Sequence, residues 1–256
     1  MPCLSDGKMC CAMNVYRLTF FGAIFQFSCI SALLAQQFND SLQYKESISG
    51  LHRIYLNEIG DNAQIYHGTE YIRYGQKALG FPYYESDSML AGSVNYLGYE
   101  YPDLTLFYNL VTDEIIIPNY LHNALIILPE DKVDSFKIGT HVFISMAAKQ
   151  YGGIPTDGFY EQLFSGEPGM YARREKRLVF GTGSEENKYI QYNTYYLRRN
   201  NVFYMVEDKK ALLNLLKDQE DLLKKYIRAN KLKFNIKKDL ESSLMLTTMY
   251  YSRLKH

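Results

Sequence analysis

Short apolar runs separated by Gly, Asn and Asp fill the middle of the chain, from residue 66 to residue 206. This pattern is typical of successive antiparallel strands, because the runs are too short and too closely spaced for parallel βαβ crossovers. The predicted strands are "SVNY", "LTLFYNL", "EIIIP", "ALIIL", "KVDSFKI", "HVFIS", "GFYEQLF", "MYARREKRLV", "YIQYNTYYLR" and "VFYMV". Together they predict an antiparallel meander or half-barrel.

From residue 207 the apolar positions change to the spacing of amphipathic helices. Asp208 and Asp218 are predicted N-caps, since each precedes a helical apolar pattern and can accept a hydrogen bond from a first-turn N–H group. The predicted apolar faces are Leu212, Leu215 and Leu216; Leu222, Leu223, Tyr226 and Ile227; and Leu240, Leu244, Thr247, Tyr251 and Leu254. We therefore predict an α+β protein. Residues 36–206 form its β-rich domain with a short N-terminal helical lead-in, and residues 207–256 form helices packed on the same domain.

The pattern Tyr-x-Gly-x-Glu-Tyr occurs twice, as "YHGTEY" (residues 66–71) and "YLGYEY" (residues 96–101). Each copy is interpreted as a hairpin with a two-residue loop. In the second copy, alternation then places Tyr96 opposite Tyr99, Val94 opposite Tyr101, and Asn95 with Glu100 on the other face. A type II turn, with only the glycine left-handed, is favoured because His67 and Leu97 are poor residues for positive φ.

The tyrosines of the two copies have two interpretations. Cross-strand aromatic pairs stabilise a sheet by a few tenths to about 1 kcal/mol each, and this structural role needs no ligand. The alternative is a binding face made of Tyr66, Tyr71, Tyr96, Tyr99 and Tyr101. The chain has 24 Tyr and 14 Phe but no Trp, which argues against a glycan-stacking surface.

The N-terminus has the layout of a secretory signal peptide spanning residues 1–35. Lys8 and Arg17 precede the apolar run "LTFFGAIFQFSCISALLA", and the polar stretch "QQFNDS" follows it. Cleavage is expected near Ala35 or Gln36, and Met13 is a second candidate start. We therefore expect export to the periplasm or the outer membrane.

An N-terminal membrane anchor is the alternative to a cleaved signal. A spanning helix needs about 20 mostly apolar residues, and this run is slightly shorter and interrupted by Gln26, Ser28 and Ser31. Lipidation at Cys29 is disfavoured by the residues on both sides of it. The cleaved signal is the preferred interpretation.

Charge and cysteine content bound the partners. All four cysteines precede residue 36, so a chain beginning there needs neither a disulfide framework nor a thiol. Its net charge of −1 leaves no general basic footprint for nucleic acid. Residues 207–256 carry a net +5 and residues 36–206 a net −6. The positive part suits an anionic membrane surface, but lysines on the solvated faces of packed helices are the preferred explanation.

No catalytic, metal or cofactor motif is evident in the sequence. The histidines lack ligand spacing, and "GTGS" (residues 181–184) lacks the lysine of a phosphate loop. Acid–base chemistry would have to come from carboxylates, either Asp113 with Glu114, Asp157 with Glu161, or Glu70 with Glu100. A glycosidase needs two carboxyl groups about 5–10 Å apart, a distance that the sequence does not give.

Several segments of the chain together carry a resemblance to a known group of proteins. They are "YHGTEYIRY", "GFPYYESD", "GSVNYLGYEYPDLTLFYNLVTDEIII", "DKVDSFKIGTHVFI", "GFYEQLFSG", "RREK", "KYIQYNTYYLRRNNVFYMV" and "LLKKYIRANKLKFNIKKDLESSLMLTTMYYSRL". The chain resembles uncharacterised exported proteins of Bacteroidota-type Gram-negative bacteria over nearly all of residues 36–256. The resemblance implies export, and it transfers no catalytic residue because that family has no assigned activity. Its members more often have Asn or Asp where His67 and Leu97 stand, which supports a turn role there.

Three functional hypotheses follow from the sequence. The first is an exported, non-enzymatic envelope protein that binds or scaffolds an envelope protein, a lipid or a glycan. The second is a periplasmic lipid or lipoprotein carrier with an apolar groove. The third, which the sequence favours least, is a hydrolase that uses Asp113, Glu114, Asp157 or Glu161.

Overall fold

The computed structural model describes Gly50 and residues 58–73 and 77–255 of the chain. The predicted signal peptide, all four cysteines and most of the predicted helical lead-in lie outside these residues. Within the described residues, no helix is long and apolar enough to cross a membrane.

Eleven antiparallel strands form one sheet, in the spatial order β1-β5-β4-β3-β2-β6-β7-β8-β9-β10-β11. The strands are β1 Thr69–Glu70, β2 Leu90–Tyr96, β3 Tyr99–Asn109, β4 Glu114–Pro118, β5 Leu125–Ile127, β6 Val133–Ile138, β7 His141–Met146, β8 Gly158–Phe164, β9 Gly169–Val179, β10 Lys188–Arg199 and β11 Val202–Met205. Every segment predicted as a strand contains one. The two-residue strand β1 was predicted only as an arm of the hairpin at residues 66–71, and that prediction gave it the wrong partner.

The sheet is curved but not closed, and β1 and β11 are its edges. The first part of β3 pairs with β2, and its last three residues pair with β4. Beyond the end of β3, the Leu110 carbonyl oxygen accepts a hydrogen bond from the N–H group of Lys176 on β9, at 2.9 Å. Because β3 and β9 are not neighbours in the sheet, this bond shows that the sheet folds back toward itself. The predicted α+β class, an antiparallel meander or half-barrel with C-terminal helices packed on it, is confirmed.

Aromatic rings fill the space enclosed by the curve. Tyr108 on β3 lies 5.0 Å from Phe136 on β6 and 5.1 Å from Phe143 on β7, between ring centroids. Phe136 and Phe143 stack at 4.7 Å. Such pairs are favourable beyond the apolar area that they bury, so they hold β3 against the middle of the sheet.

Three helices cover the far end of the sheet: α1 Lys209–Leu215, α2 Glu220–Ala229 and α3 Lys237–Lys255. Successive side chains of a strand point to opposite faces. Ala172 and Leu197 therefore pack against Leu212, Leu223 and other helical residues. Tyr171 and Tyr196 point the other way and pack with Phe203. The helices therefore pack on the sheet, as predicted, and the structure shows that they bury one face of β9 and β10.

Asp208 caps α1 as predicted, since its carboxylate accepts a hydrogen bond from the Ala211 N–H group at 2.7 Å. The prediction that Asp218 caps the second helix is wrong. Asp218 lies in a 3-10 turn before α2, accepts hydrogen bonds from the Tyr251 hydroxyl and pairs with Lys255 at 2.6 Å. The carboxylate thus joins the start of α2 to the end of α3.

The second Tyr-x-Gly-x-Glu-Tyr copy forms the predicted hairpin. Tyr96 pairs with Tyr99, Asn95 with Glu100 and Val94 with Tyr101. The predicted type II turn is wrong, because Leu97 (φ 53°) and Gly98 (φ 78°) are both left-handed, as in a type I′ turn. The twist of that turn matches the twist of the strands.

The first copy is not a hairpin, contrary to prediction. Gln64–Tyr66 form a 3-10 turn, and β1 pairs with β5 instead of with the residues before it. A Cβ atom at Gly68 would collide with the Ile127 carbonyl oxygen of β5. The glycine is therefore needed for the close approach of two strands and not for a bend.

Candidate functional site

A groove of about 460 Å³ lies where the end of β3, the strand β1 and the strands β9 and β10 come together. We call it the seam groove. Its lining residues are Glu70, Tyr71, Ile72, Pro82, Asn109, Val111, Thr112, Glu114, Ile127, Leu178 and Tyr189. Its volume lies in the range of about 300–1,000 Å³ that is usual for ligand sites.

Pairing with β5 places the Glu-Tyr pair of the first motif copy in the seam groove. Glu70 lies opposite Ile126, and the N–H group of Tyr71 donates to the Leu125 carbonyl oxygen at 2.8 Å. The hydroxyl oxygens of Tyr71 and Tyr83 lie 2.9 Å apart. Burial, and then the hydrogen bond with Tyr83, raise the pKa of Tyr71. Tyr71 is therefore held by its backbone N–H group and by its side-chain hydroxyl.

The turn between β3 and β4 forms a second wall. The Asn109 side-chain oxygen accepts a hydrogen bond from the Val111 N–H group at 3.0 Å, and the Thr112 hydroxyl donates to Glu114 at 2.6 Å. The Leu110 N–H group donates to the Pro82 carbonyl oxygen at 3.0 Å. These bonds fix the wall without a ligand.

The lining combines negative charge, aromatic rings and exposed apolar side chains. Within residues 58–73 and 77–255, neither Glu70 nor Glu114 forms an ion pair. Ile72 is 57% exposed and Val111 is 44% exposed. Such a surface suits a ligand with a positive charge next to apolar groups, because the charge can meet both carboxylates and tyrosine faces.

The tyrosines of the predicted binding face lie in different places. Tyr71 lines the seam groove, and the ring of Tyr66 meets that of Tyr120 edge to face at 5.7 Å. Tyr96 and Tyr101 are buried with ring centroids 6.3 Å apart, whereas Tyr99 is 61% exposed. The fold therefore brings the three tyrosines of the second copy together and separates them from the first copy.

The carboxylates named in the hydrolase hypothesis have separate partners. Asp113 accepts a hydrogen bond from the Tyr108 hydroxyl at 2.6 Å and pairs with Arg173 at 2.7 Å. Asp157 accepts a hydrogen bond from the Ala148 N–H group at 2.7 Å. Glu114 and Glu70 both line the seam groove. Glu100 is not among the lining residues of that groove and pairs with Lys137 instead.

Glu161 belongs to a partly buried group that the sequence did not predict, made of His141, Glu161, Arg174, Tyr195 and Glu241. We call it the ionic network. Glu161 and Arg174 are 2% and 6% exposed, and Arg174 contacts the carboxylates of Glu161 and Glu241 at 2.6 Å each. His141 Nδ1 lies 2.6 Å from Glu161, and the Tyr195 hydroxyl donates to Glu241 at 3.0 Å.

Within the ionic network, Arg174 and Glu241 stabilise each other's charged form. Burial alone would lower the pKa of Arg174, but the hydrogen bonds and charges of Glu241 and Glu161 raise it. Burial alone would raise the pKa of Glu241, but the hydrogen bond and charge of Arg174, together with the hydrogen bond from Tyr195, lower it overall. Burial, and then the charge of Glu241, raise the pKa of Tyr195 to about 12. A signal for this network was Arg174 in the predicted strand "MYARREKRLV", at an alternate position from the apolar Ala172 and Met170, because arginine is rarely buried unless it is paired.

Among the described residues, no three His, Cys, Asp or Glu side chains converge as metal ligands do. Comparison with protein-family models, with curated proteins and with solved structures gives no match.

Proposed function

We propose that the protein is an exported, non-enzymatic envelope protein whose seam groove binds a basic segment of a partner envelope protein. The observation that carries the proposal is the lining of the groove, where Glu70 and Glu114 lie without a cationic partner in the described residues, next to Tyr71 and Tyr189. Export is inferred from the N-terminal layout of the sequence, and the partner's charge from that of the groove.

Charge on a larger scale supports this choice of partner. Residues 36–206, which contain the whole seam groove, carry a net charge of −6. A field of one sign raises the association rate of a partner of the opposite sign. A basic peptide would therefore be attracted before contact and held by carboxylates and rings on contact.

The open edge of the sheet supports a peptide as the form of the ligand. β1 pairs with β5 on one side only, and it is an edge of the sheet. An edge strand offers backbone N–H and C=O groups to an added extended segment. Glu70 belongs to this strand and also lines the groove, so backbone pairing and charge recognition can act together.

The two motif copies supply a matched test. A fluorescein-labelled peptide of alternating Lys and Val is the probe, and a peptide of alternating Glu and Val is its negative control. Binding measured by fluorescence anisotropy should weaken about tenfold when Glu70→Gln and Glu114→Gln are combined, since each exposed ion pair contributes up to about 1 kcal/mol. Glu100→Gln, at the equivalent position of the second copy, should leave the affinity unchanged.

The aromatic part of the groove has its own pair of variants on β10. Tyr189→Ala should weaken binding about fivefold through loss of a cation–π contact, whereas Tyr192→Ala should not. Equal binding of the Lys and Glu peptides, or equal effects of Glu100→Gln and the groove variants, would rule out the proposed recognition. Recovery of the unprocessed protein from the cytosol of its host cell would rule out export.

A further inference from the structure

A second groove, of about 680 Å³, lies among the C-terminal helices, far along the chain from the residues of the seam groove. Its walls come from α1, from the first turns of α2 and from the segment 232–235 that leads into α3. We call it the lysine groove. Its size lies within the usual range for ligand sites.

Apolar side chains form the floor of the lysine groove. Leu213 is 6% exposed, and Leu232 and Phe234 are half-buried. All three belong to or pack against the core beneath the helices. The floor is therefore apolar surface continuous with the protein interior, and a ligand that covered Phe234 and Leu232 would remove further apolar surface from water.

Hydrogen bonds hold the segment 232–235 in place. The Leu232 N–H group donates to the Ile227 carbonyl oxygen of α2 at 3.0 Å. The Ser243 hydroxyl of α3 donates to the Lys233 carbonyl oxygen at 2.9 Å, and Ser243 is 2% exposed. The groove is thus tied to two helices and is formed before any ligand enters.

Lysines surround this floor. Lys209, Lys210, Lys224 and Lys233 line the groove together with Asp208 and Glu220. Both acids are engaged, since Asp208 caps α1 and Glu220 pairs with Lys224 at 2.7 Å. Among the residues that the structure describes, Lys209, Lys210 and Lys233 form no ion pair. Three ammonium groups therefore remain available beside an apolar surface.

From this arrangement we propose that the lysine groove binds an anionic amphiphile, a single acyl chain with a carboxylate or phosphate head group. The chain would cover Leu213, Leu232 and Phe234, and the head group would meet the unpaired lysines. Residues 207–256 carry a net +5, which favours a negative ligand at this end of the molecule. The site is independent of the peptide recognition proposed for the seam groove.

An acidic peptide fits the groove less well. A bound peptide needs partners for its own N–H and C=O groups, whereas α1 and α2 offer no strand edge for pairing. An acyl chain has no such groups to satisfy. The apolar floor and the lysine rim together therefore favour an amphiphile.

Monomeric amphiphiles provide the probes, each used below its critical micelle concentration. Calorimetry with the full-length protein should show binding of lauric acid and dodecyl phosphate but not of dodecyl maltoside, which has the same chain and no charge. Inorganic phosphate should not bind measurably, since it has no apolar part. Tight binding of dodecyl maltoside or of phosphate alone would overturn the proposal, because one half of the groove would then have no role.

Variants separate the rim from the floor. Lys233→Gln should weaken lauric acid binding about tenfold, as expected for loss of a charged partner, and Lys225→Gln on α2, outside the groove, should have no effect. Phe234→Leu should weaken lauric acid binding because it removes part of the apolar floor. It should lower the free energy of unfolding less than Phe234→Ala does, so it tests the floor in a protein that remains folded. Equal effects of Lys233→Gln and Lys225→Gln would overturn the site.

A membrane surface is the alternative source of anionic head groups. Phosphatidylglycerol vesicles are used as a second probe in a sedimentation assay. If the protein sediments with these vesicles but binds no monomeric amphiphile, the groove is a membrane contact and the proposal fails. Failure of the Lys–Val peptide test at the seam groove has no bearing on either result.

Discussion

In the turn between β2 and β3, Leu97 adopts a left-handed backbone conformation that its side chain disfavours. Leu97 has a φ of 53°, which is unfavourable for a residue with a Cβ atom by about 1–2 kcal/mol. Its N–H group donates to the Lys132 carbonyl oxygen at 2.8 Å, and the Gly98 N–H group donates to Asp134 at 2.9 Å. The hairpin and its neighbouring loop impose the turn, so Leu97 adopts it.

Replacing Leu97 by a residue that tolerates positive φ should stabilise the protein. We expect Leu97→Asn to raise the free energy of unfolding by about 1 kcal/mol, because Asn is favoured in type I′ turns and Leu97 is 43% exposed. Chemical denaturation measures the change. Leu121→Asn is the control, since Leu121 is 67% exposed and is not left-handed. Equal effects of the two changes would contradict the explanation.

At the scale of elements, the strands and helices follow their apolar periods, and their partners follow from the fold. The β10 strand pairs with β9 over eleven residues, and alternate side chains of both strands enter two different cores. The period of two decides which residues share a face. It does not decide which face the helices cover.

The cap of α1 is the element-scale feature that is easiest to test. Asp208→Ala should lower the free energy of unfolding by about 1 kcal/mol, because the Ala211 N–H group loses its partner. Asp208→Asn keeps an oxygen acceptor and should lower it by much less. Thermal denaturation followed by circular dichroism compares the two, and an equal loss in both would show that the charge of Asp208 matters more than the hydrogen bond.

At the scale of the whole molecule, the ionic network joins the sheet to the last helix. Arg174 on β9 contacts Glu161 on β8 and Glu241 on α3. A buried charge is stable only with its partners. Packing of α3 on the sheet and the ionisation of Arg174 and Glu241 are therefore coupled.

Replacing Arg174, the central arginine of the ionic network, should strongly lower the free energy of unfolding. Arg174→Met leaves Glu161 buried without its main cationic partner, and loss of one member of a buried pair typically costs about 3–5 kcal/mol. Urea denaturation of the full-length protein measures the loss. Arg177→Met on the same strand is the control, since the Arg177 side chain is 69% exposed. A loss no larger than that of the control would contradict a structural role for the network.

Acid should weaken the same connection. The pKa of Glu241 is lower in the folded protein than its ordinary value of 4.5, so its contribution to stability is complete above that value and is lost as the pH falls through the folded pKa. The stability difference between the wild type and Glu241→Gln should therefore shrink below about pH 4.5. Melting temperatures from pH 7 to pH 3 measure it, with the exposed Glu186→Gln as control. A constant difference would contradict the prediction.

Much of this architecture was predictable because it depends on neighbours along the chain. The hairpin register around Leu97, the cap at Asp208 and the buried Leu244 and Tyr251 of α3 follow from short spacings. The hairpin predicted at Tyr66–Tyr71 failed because β5, more than fifty residues later in the chain, is the partner that β1 finds. Local pattern contains no information about such a partner.

The two grooves and the ionic network could not be predicted from the sequence, because each is formed by residues that are distant along the chain. Glu70 and Glu114 line one groove because β1, β4 and β5 pair, and Arg174 meets Glu241 across sixty-seven positions of chain. A sequence lists charges without distances, and electrostatic energy depends on distance and burial. In the sequence, the carboxylates and lysines of the two grooves cannot be distinguished from ordinary surface charges.

The sequence by itself determined the class of fold, the face of each strand and helix, and the charge of each half, because apolar periodicity and composition act within a few residues of chain. Only the tertiary structure decided which charges are buried, which lysines lack an ion pair within the described residues and which tyrosines line a groove. Those properties depend on contacts between distant segments, which form when the sheet curves and the helices close over β9 and β10.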